Sequence, residues 1–222
     1  MVERAVLIGT CGWQHPQWRD TYYPEGLPDD WQLAFYGNEY PVVLVPDAYW
    51  TQGRNAIAEW LAESEQRPRF VCEWSIAKNE KRPVPELIAA LGDRVEGVLI
   101  SLTQRPDAGQ LETIGSLCAT YAVCVDWPTA SHDELHALLA QPSMSQQVSV
   151  CWRGDPAQQD VLTHGRLALA RVPSRGQTPR SLRTLLETLL RNAGERQAVL
   201  LFDGQPPDLE VVDQAEILLN LL

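Results

Sequence analysis

Three carboxylates and a set of arginines stand at the ends of short apolar runs, where strands would end. Glu73 lies in the run at 70–75, Asp126 closes the run at 121–126, and Asp203 follows the run at 198–202. With Asp47 they could converge at one end of the fold, and carboxylates that converge can divide acid and base roles once their surroundings push their pKa values apart. Glu73, Asp126 and Asp203 are therefore the candidate catalytic residues. The competing reading is structural: each caps a helix or pairs with Arg19, Arg153 or Arg171. The arginines point to anion binding. Arg153, Arg171 and Arg175 follow two neighbouring runs, and Thr178-Pro179 opens a helix whose N-terminus would suit an anion.

Aromatic side chains cluster in the same places. Trp13, Trp18, Trp50, Trp74, Trp127 and Trp152 fall at or just past run ends, whereas Trp31 and Trp60 fall on helical patterns. Rings around a pocket mouth offer flat apolar faces and an indole donor to a sugar or base. The alternative is that they fill space as core. The residues assigned to ligand binding are Thr10, Trp13, Trp18, Arg19, Tyr49, Trp74, Trp127, Arg153 and Arg171.

Other chemistries find less support. There is no Gly-x-Ser-x-Gly and no Cys–His motif, and Cys11 is the one thiol placed to line a pocket. The histidines are His15, His132, His136 and His164, of which His15 alone follows a run directly. His132 and His136 share a helix face, but the spacing lacks a metalloprotease glutamate. No metal site is predicted and no cofactor is identified.

The elements that must position these groups come from periodicity. Eight β-rich runs occur at 5–10, 41–46, 70–75, 95–102, 121–126, 148–152, 167–172 and 198–202. Most are continuously apolar, as parallel strands buried on both faces require. Helical patterns lie between and after them at 30–40, 55–65, 85–91, 109–120, 131–140, 155–162, 178–192 and 209–221. Ser131 and Glu134 are spaced as a capping box, and the pattern at 155–162 is weak. Lys78 lies beyond the third run. Eight βα units in 222 residues, with no linker, predict one domain over 1–222: an α/β fold, a single (β/α)8 TIM-like barrel of eight parallel strands. The first turn, Gly9-Thr10-Cys11-Gly12-Trp13, lacks the glycine pattern of a doubly wound dinucleotide fold.

Composition sets the outer limits. The chain carries 18 basic and 29 acidic residues, a formal charge of −11, and is 45% hydrophobic. That excludes a disordered chain and disfavours nucleic acid as a partner, because phosphate attraction needs a broad positive field. The imbalance is uneven: residues 151–200 carry eight arginines against four acids. No apolar stretch is long enough for a membrane span or a signal-peptide core, so a cytoplasmic location is expected. Five widely spaced cysteines predict buried free thiols rather than disulfides.

The opening also carries a family pattern. Ile8-Gly9-Thr10-Cys11-Gly12-Trp13, then Pro16-x-Trp18-Arg19, then Tyr22-Tyr23-Pro24-Glu25-Gly26-Leu27, with Phe35-Tyr36 on the first helix, resembles the YecE-like family (domain of unknown function 72). The resemblance implies a TIM-like barrel and no established activity. Later motifs depart from it. Pro46-Asp47-Ala48-Tyr49-Trp50 lacks the family's Glu and Asn, and Glu73-Trp74 stands where strand 3 usually ends in lysine. Leu99-Ile100-Ser101-Leu102-Thr103 replaces a Leu-x-Gln-x-Pro. Cys124 and Asp126 replace Glu-x-Arg, and Pro173 replaces the histidine that follows Arg171. Thr10, Trp18, Arg19, Tyr49, Arg171 and Asp203 are retained. The resulting expectation is a divergent, shortened member that binds a small anionic or sugar-like ligand at the C-terminal face of the barrel, with hydrolase or isomerase chemistry if it turns over. The alternatives are a non-catalytic binding or scaffold protein, and a metal-assisted nuclease-like activity.

Overall fold

The computed structural model describes residues 6–64, 67–76, 84–141, 144 and 147–222. Ala5, Glu65 and Lys78 lie outside them. Eight strands are formed: β1 Val6–Cys11, β2 Val42–Val45, β3 Arg69–Trp74, β4 Val95–Ser101, β5 Val123–Asp126, β6 Val148–Val150, β7 Ala168–Pro173 and β8 Ala198–Asp203. All pair in parallel, in the order β6-β5-β4-β3-β2-β1-β8-β7. The two ends of that order meet at a single bridge between Trp152 and Ala170. There the Trp152 N–H donates to Leu169 O and the Arg171 N–H donates to Trp152 O, each at 2.9 Å. The sheet is thus a nearly closed (β/α)8 barrel, and the β6–β7 seam is its thinnest join.

Among the described residues seven α-helices surround the strands: α1 Gln32–Glu39, α2 Gly53–Glu63, α3 Val84–Ala89, α4 Ala108–Cys118, α5 His132–Leu139, α6 Pro179–Ala193 and α7 Leu209–Leu219. Asp107, Ser131 and Thr178 each close a capping box at a helix start, Ser131 with Glu134 as the sequence predicts. The eighth connection departs from expectation. Residues Pro156–Thr163 form a 3-10 segment with a non-helical Gln158 at φ −115° and ψ 15°. Asp155 caps it by accepting from the Ala157 N–H, and Val161 and Leu162 are its buried residues. Without a repeating apolar stripe, nothing holds a longer helix against the barrel. No helix among the described residues is long and apolar enough to cross a membrane.

Side chains alternate across each strand, and this divides the apolar residues in two. One set fills the barrel interior, including Val42, Leu44, Val71, Leu99, Leu169, Val199 and Leu201. The other packs outward against the helices, including Ile8, Val43, Phe70, Val98 and Phe202. All five cysteines are buried and free. Burial pushes the thiols of Cys11, Cys72 and Cys124 well above the ordinary range, so these side chains act as small apolar fillers.

The β1–β2 join explains two residues of the opening motif. The Tyr36 hydroxyl enters the ladder, accepting from the Thr10 N–H at 2.9 Å and donating to Val42 O at 3.1 Å. Gly9 makes room for the close approach: a Cβ there would lie 1.8 Å from Val42 O. Tyr36→Phe would leave a buried donor and a buried acceptor unpaired. It should cost about 1–3 kcal/mol in a denaturant titration, with the slope unchanged.

Candidate functional site

Alternation also decides which polar residues face the barrel axis at the C-terminal end. Glu73 on β3, Ser101 on β4, Asp126 on β5, Arg171 on β7 and Asp203 on β8 all take the inward parity at or near the strand ends. Arg153, three residues past β6, follows the same rule. They form one network. Arg171 donates through Nε to Asp203 Oδ2 at 2.9 Å and through Nη1 to Glu73 Oε1 at 2.9 Å, with Asp126 Oδ2 3.6 Å away. Arg153 donates through Nε to Asp126 Oδ1 at 2.9 Å and closes a bidentate pair through Nη2 to Oδ2. Ser101 donates to Glu73 Oε1 at 2.8 Å, and the Asp47 N–H to Glu73 Oε2 at 3.3 Å.

Burial would lower the pKa of Arg171, but Cys11, Glu73, Asp203 and Asp126 outweigh it and hold it above the ordinary arginine value. Arg153 is raised in the same way: its burial is overcome chiefly by the bond to Asp126. Three carboxylates against two guanidiniums leave the ring one negative charge. Exposure differs within it. The Asp126 side chain is 3% exposed, Glu73 15% and Asp203 35%, so Asp203 is the carboxylate a ligand could reach first. Its Oδ1 accepts from the Gly204 N–H at 2.9 Å. His15 overhangs this end, with Nε2 3.1 Å from Cys11 O. Burial lowers its pKa, against the opposing pull of hydrogen bonds to Cys11 and Gly12 and of Asp203.

The structure thus brings together Glu73, Asp126, Asp203, Arg153 and Arg171, and places the other candidates elsewhere. Thr10 is buried on the outward side against Tyr36. Trp13 packs edge-on to Tyr49 and Trp60, and Trp18 lies among His15, Tyr22, Tyr23 and Tyr36. Trp50, Trp74, Trp127 and Trp152 are buried in the outward core. Tyr49 accepts from the Gln14 N–H. Arg19 is exposed and bidentate with Asp29. Arg175 is exposed.

Beside the network a groove of about 650 Å3 runs between Arg153, Gln159, Gln177 and the start of α6. Thr178, Arg180 and Ser181 line it there, and its far end is apolar, with Val172 and Leu185. No acidic side chain among the described residues lines this groove, although the chain carries a charge of −11. Arg180 is exposed and its guanidinium pairs with no carboxylate among the described residues. Arg153 forms the wall shared by groove and network. Sequence reading passed over Arg180, and placed Ser101 at a strand end without giving it a role. The signals were there: Arg180 is the second residue of a helix opened by Thr178-Pro179, and Ser101 shares its parity with Glu73 and Asp126.

Comparisons agree with the architecture. A family model described as "Protein of unknown function DUF72" matches residues 7–222. No curated protein matches the chain. A DUF72 family protein from Enterococcus faecalis V583 superposes with a TM-score of 0.68 at 14% identity, over 98% of this chain and 96% of that one. A DUF72 family protein from Thermotoga maritima MSB8 gives 0.63 at 14% identity, over 96% and 98%. A putative aldo-keto reductase from Pseudomonas aeruginosa gives 0.53 at 15% identity, over 96% and 89%. Likeness at these identities is a likeness of fold.

Proposed function

The chain belongs to the DUF72 family, and from that premise we propose that it binds a small, hydroxyl-bearing anion at the C-terminal face of the barrel. The carrying observation is the acid-free groove. Arg153 and Arg180 stand over it, and Thr178, Ser181, Gln159 and Gln177 supply neutral polar groups. A helix N-terminus and a guanidinium both favour an oxyanion. TIM barrels commonly hold phosphate near the loops after strands 7 and 8, and α6 follows β7 here.

The division of labour follows from the pairing. Arg171 is spent on Glu73 and Asp203 and acts as a positioning residue. Arg180 meets the anionic group, and Arg153 links it to the ring. Asp203, the most exposed carboxylate of the ring, faces the rest of the ligand and is the group that would move a proton in a hydrolase or isomerase reaction. A binding-only reading has its own support: the strand-end tryptophans are committed to packing and every ring carboxylate is hydrogen-bonded.

A thermal-shift series tests the anion site with inorganic phosphate, a phosphorylated sugar and the matching neutral sugar. At about a hundred times its dissociation constant a ligand adds about 2.7 kcal/mol, which raises the midpoint by roughly 5–10 °C at this chain length. The phosphorylated sugar should produce that shift, and Arg180→Ala should abolish it while leaving the ligand-free midpoint unchanged. Equal shifts from the neutral sugar, or a shift that survives Arg180→Ala, would refute the assignment. Product analysis after incubation with wild type and Asp203→Asn separates turnover from binding alone.

A further inference from the structure

Three of the four histidines of this chain gather at one place, none of them bonded to the ring of carboxylates described above. His132 and His136 lie four residues apart on α5 and so share a face, with ring centroids 4.3 Å apart. The 3-10 segment between β6 and β7 brings Asp160 against them. Asp160 Oδ2 is 2.9 Å from His136 Nε2 and 3.6 Å from His132 Nε2. One ligand atom from each of the three lies within 4.8 Å of the others. His164 follows on the same segment, its ring 6.1 Å from that of His136. The helix spacing alone offers two ligands, and the fold supplies the third.

We propose that His132, His136 and Asp160 form a binding site for a divalent transition-metal ion of the Zn2+ class. Two imidazoles and one carboxylate are the donor set of three-ligand zinc sites, which leave a fourth position for water. His136 Nε2 is within hydrogen-bond distance of Asp160 Oδ2, whereas His132 Nε2 is not, and His132 Nδ1 is buried with no hydrogen-bond partner. A cation between the three groups would use both imidazole lone pairs and the carboxylate charge together.

The supporting backbone is held firmly. Arg196 donates to the carbonyls of Leu162, His164, Gly165, Asn192 and Ala193 at 2.6–3.2 Å. The Thr163 hydroxyl donates to Asp160 O at 2.7 Å. The ion would clamp α5 to the 3-10 connection, beside the seam where β6 and β7 share a single bridge. The side chains are accessible, at 41% for each histidine and 47% for Asp160, so the ion can enter and leave without unfolding.

The test is titration calorimetry of metal-free protein with Zn2+ at pH 7.5 in a non-chelating buffer, with Mg2+ in parallel. One Zn2+ per chain should bind with micromolar or tighter affinity, and Mg2+ should not, since it prefers oxygen ligands. His136→Ala and Asp160→Asn should each weaken Zn2+ at least tenfold, whereas His15→Ala should leave it unchanged. Zn2+ should also raise the wild-type melting midpoint, and the double variant His132→Ala/His136→Ala should lose that rise while melting at the metal-free wild-type temperature. Absence of saturable binding, or equal affinity in the double variant, would overturn the proposal.

Discussion

Arg171→Ala should lower the stability of the barrel by about 3–5 kcal/mol, the usual cost of removing one partner from a buried ion pair. At this length that lowers the melting midpoint by roughly 6–20 °C. The reason lies in what the variant leaves behind. Glu73 and Asp203 each lose a 2.9 Å bond, and Asp126 loses a cation 3.6 Å away. Arg153 remains as the one guanidinium for three inward carboxylates. The loss should therefore shrink when Glu73→Gln is added to Arg171→Ala, because one uncompensated charge is removed. A double variant no more stable than Arg171→Ala would show that Arg171 contributes by packing and not by charge.

Gly9→Ala should be as damaging, for a steric reason. The new Cβ would sit 1.8 Å from Val42 O, a backbone atom fixed in the β1–β2 join. Neither strand can give way without breaking the Tyr36 insertion, so the cost should be roughly 3 kcal/mol or more, at the upper end of overpacking effects. Gly26→Ala makes the contrast. A Cβ there meets nothing within 4 Å, and its positive φ of 76° leaves only backbone strain. Denaturant titrations of both variants give the comparison. A Gly9→Ala protein as stable as Gly26→Ala would mean that β1 and β2 can separate freely.

The two glycines bear on how much the sequence disclosed. Eight apolar runs marked the strands to within about two residues, because a buried parallel strand must be apolar throughout and the loops between them cannot be. The Gly9-Thr10-Cys11-Gly12-Trp13 segment signalled a family but not a cause. The cause needs Tyr36, 26 residues away, whose hydroxyl occupies the ladder. The tryptophans show what proximity along the chain conceals. Trp74 is the neighbour of Glu73, Trp127 of Asp126 and Trp152 of Arg153, so a strand-end reading groups each pair. Strand parity separates them, sending the charge toward the axis and the indole toward the helices. Sequence also named Arg153, Arg171, Glu73, Asp126 and Asp203, and offered carboxylate–arginine pairing as the structural alternative, without saying which would pair with which. That pairing depends on which strands meet across the barrel. Asp160 was invisible as a ligand because its partners belong to a different element.

The single β6–β7 bridge has a mechanical meaning. A hoop cut at one point is stiff against every distortion except opening at the cut. Six neighbouring strand pairs share three to five register pairs, the seventh shares six, and the seam has one. The softest motion of this barrel is thus a widening between Trp152 and Ala170. The proposed groove is lined from both sides of that gap, by Trp152 and Arg153 after β6 and by Val172 and Pro173 of β7, so a ligand held there would resist the widening.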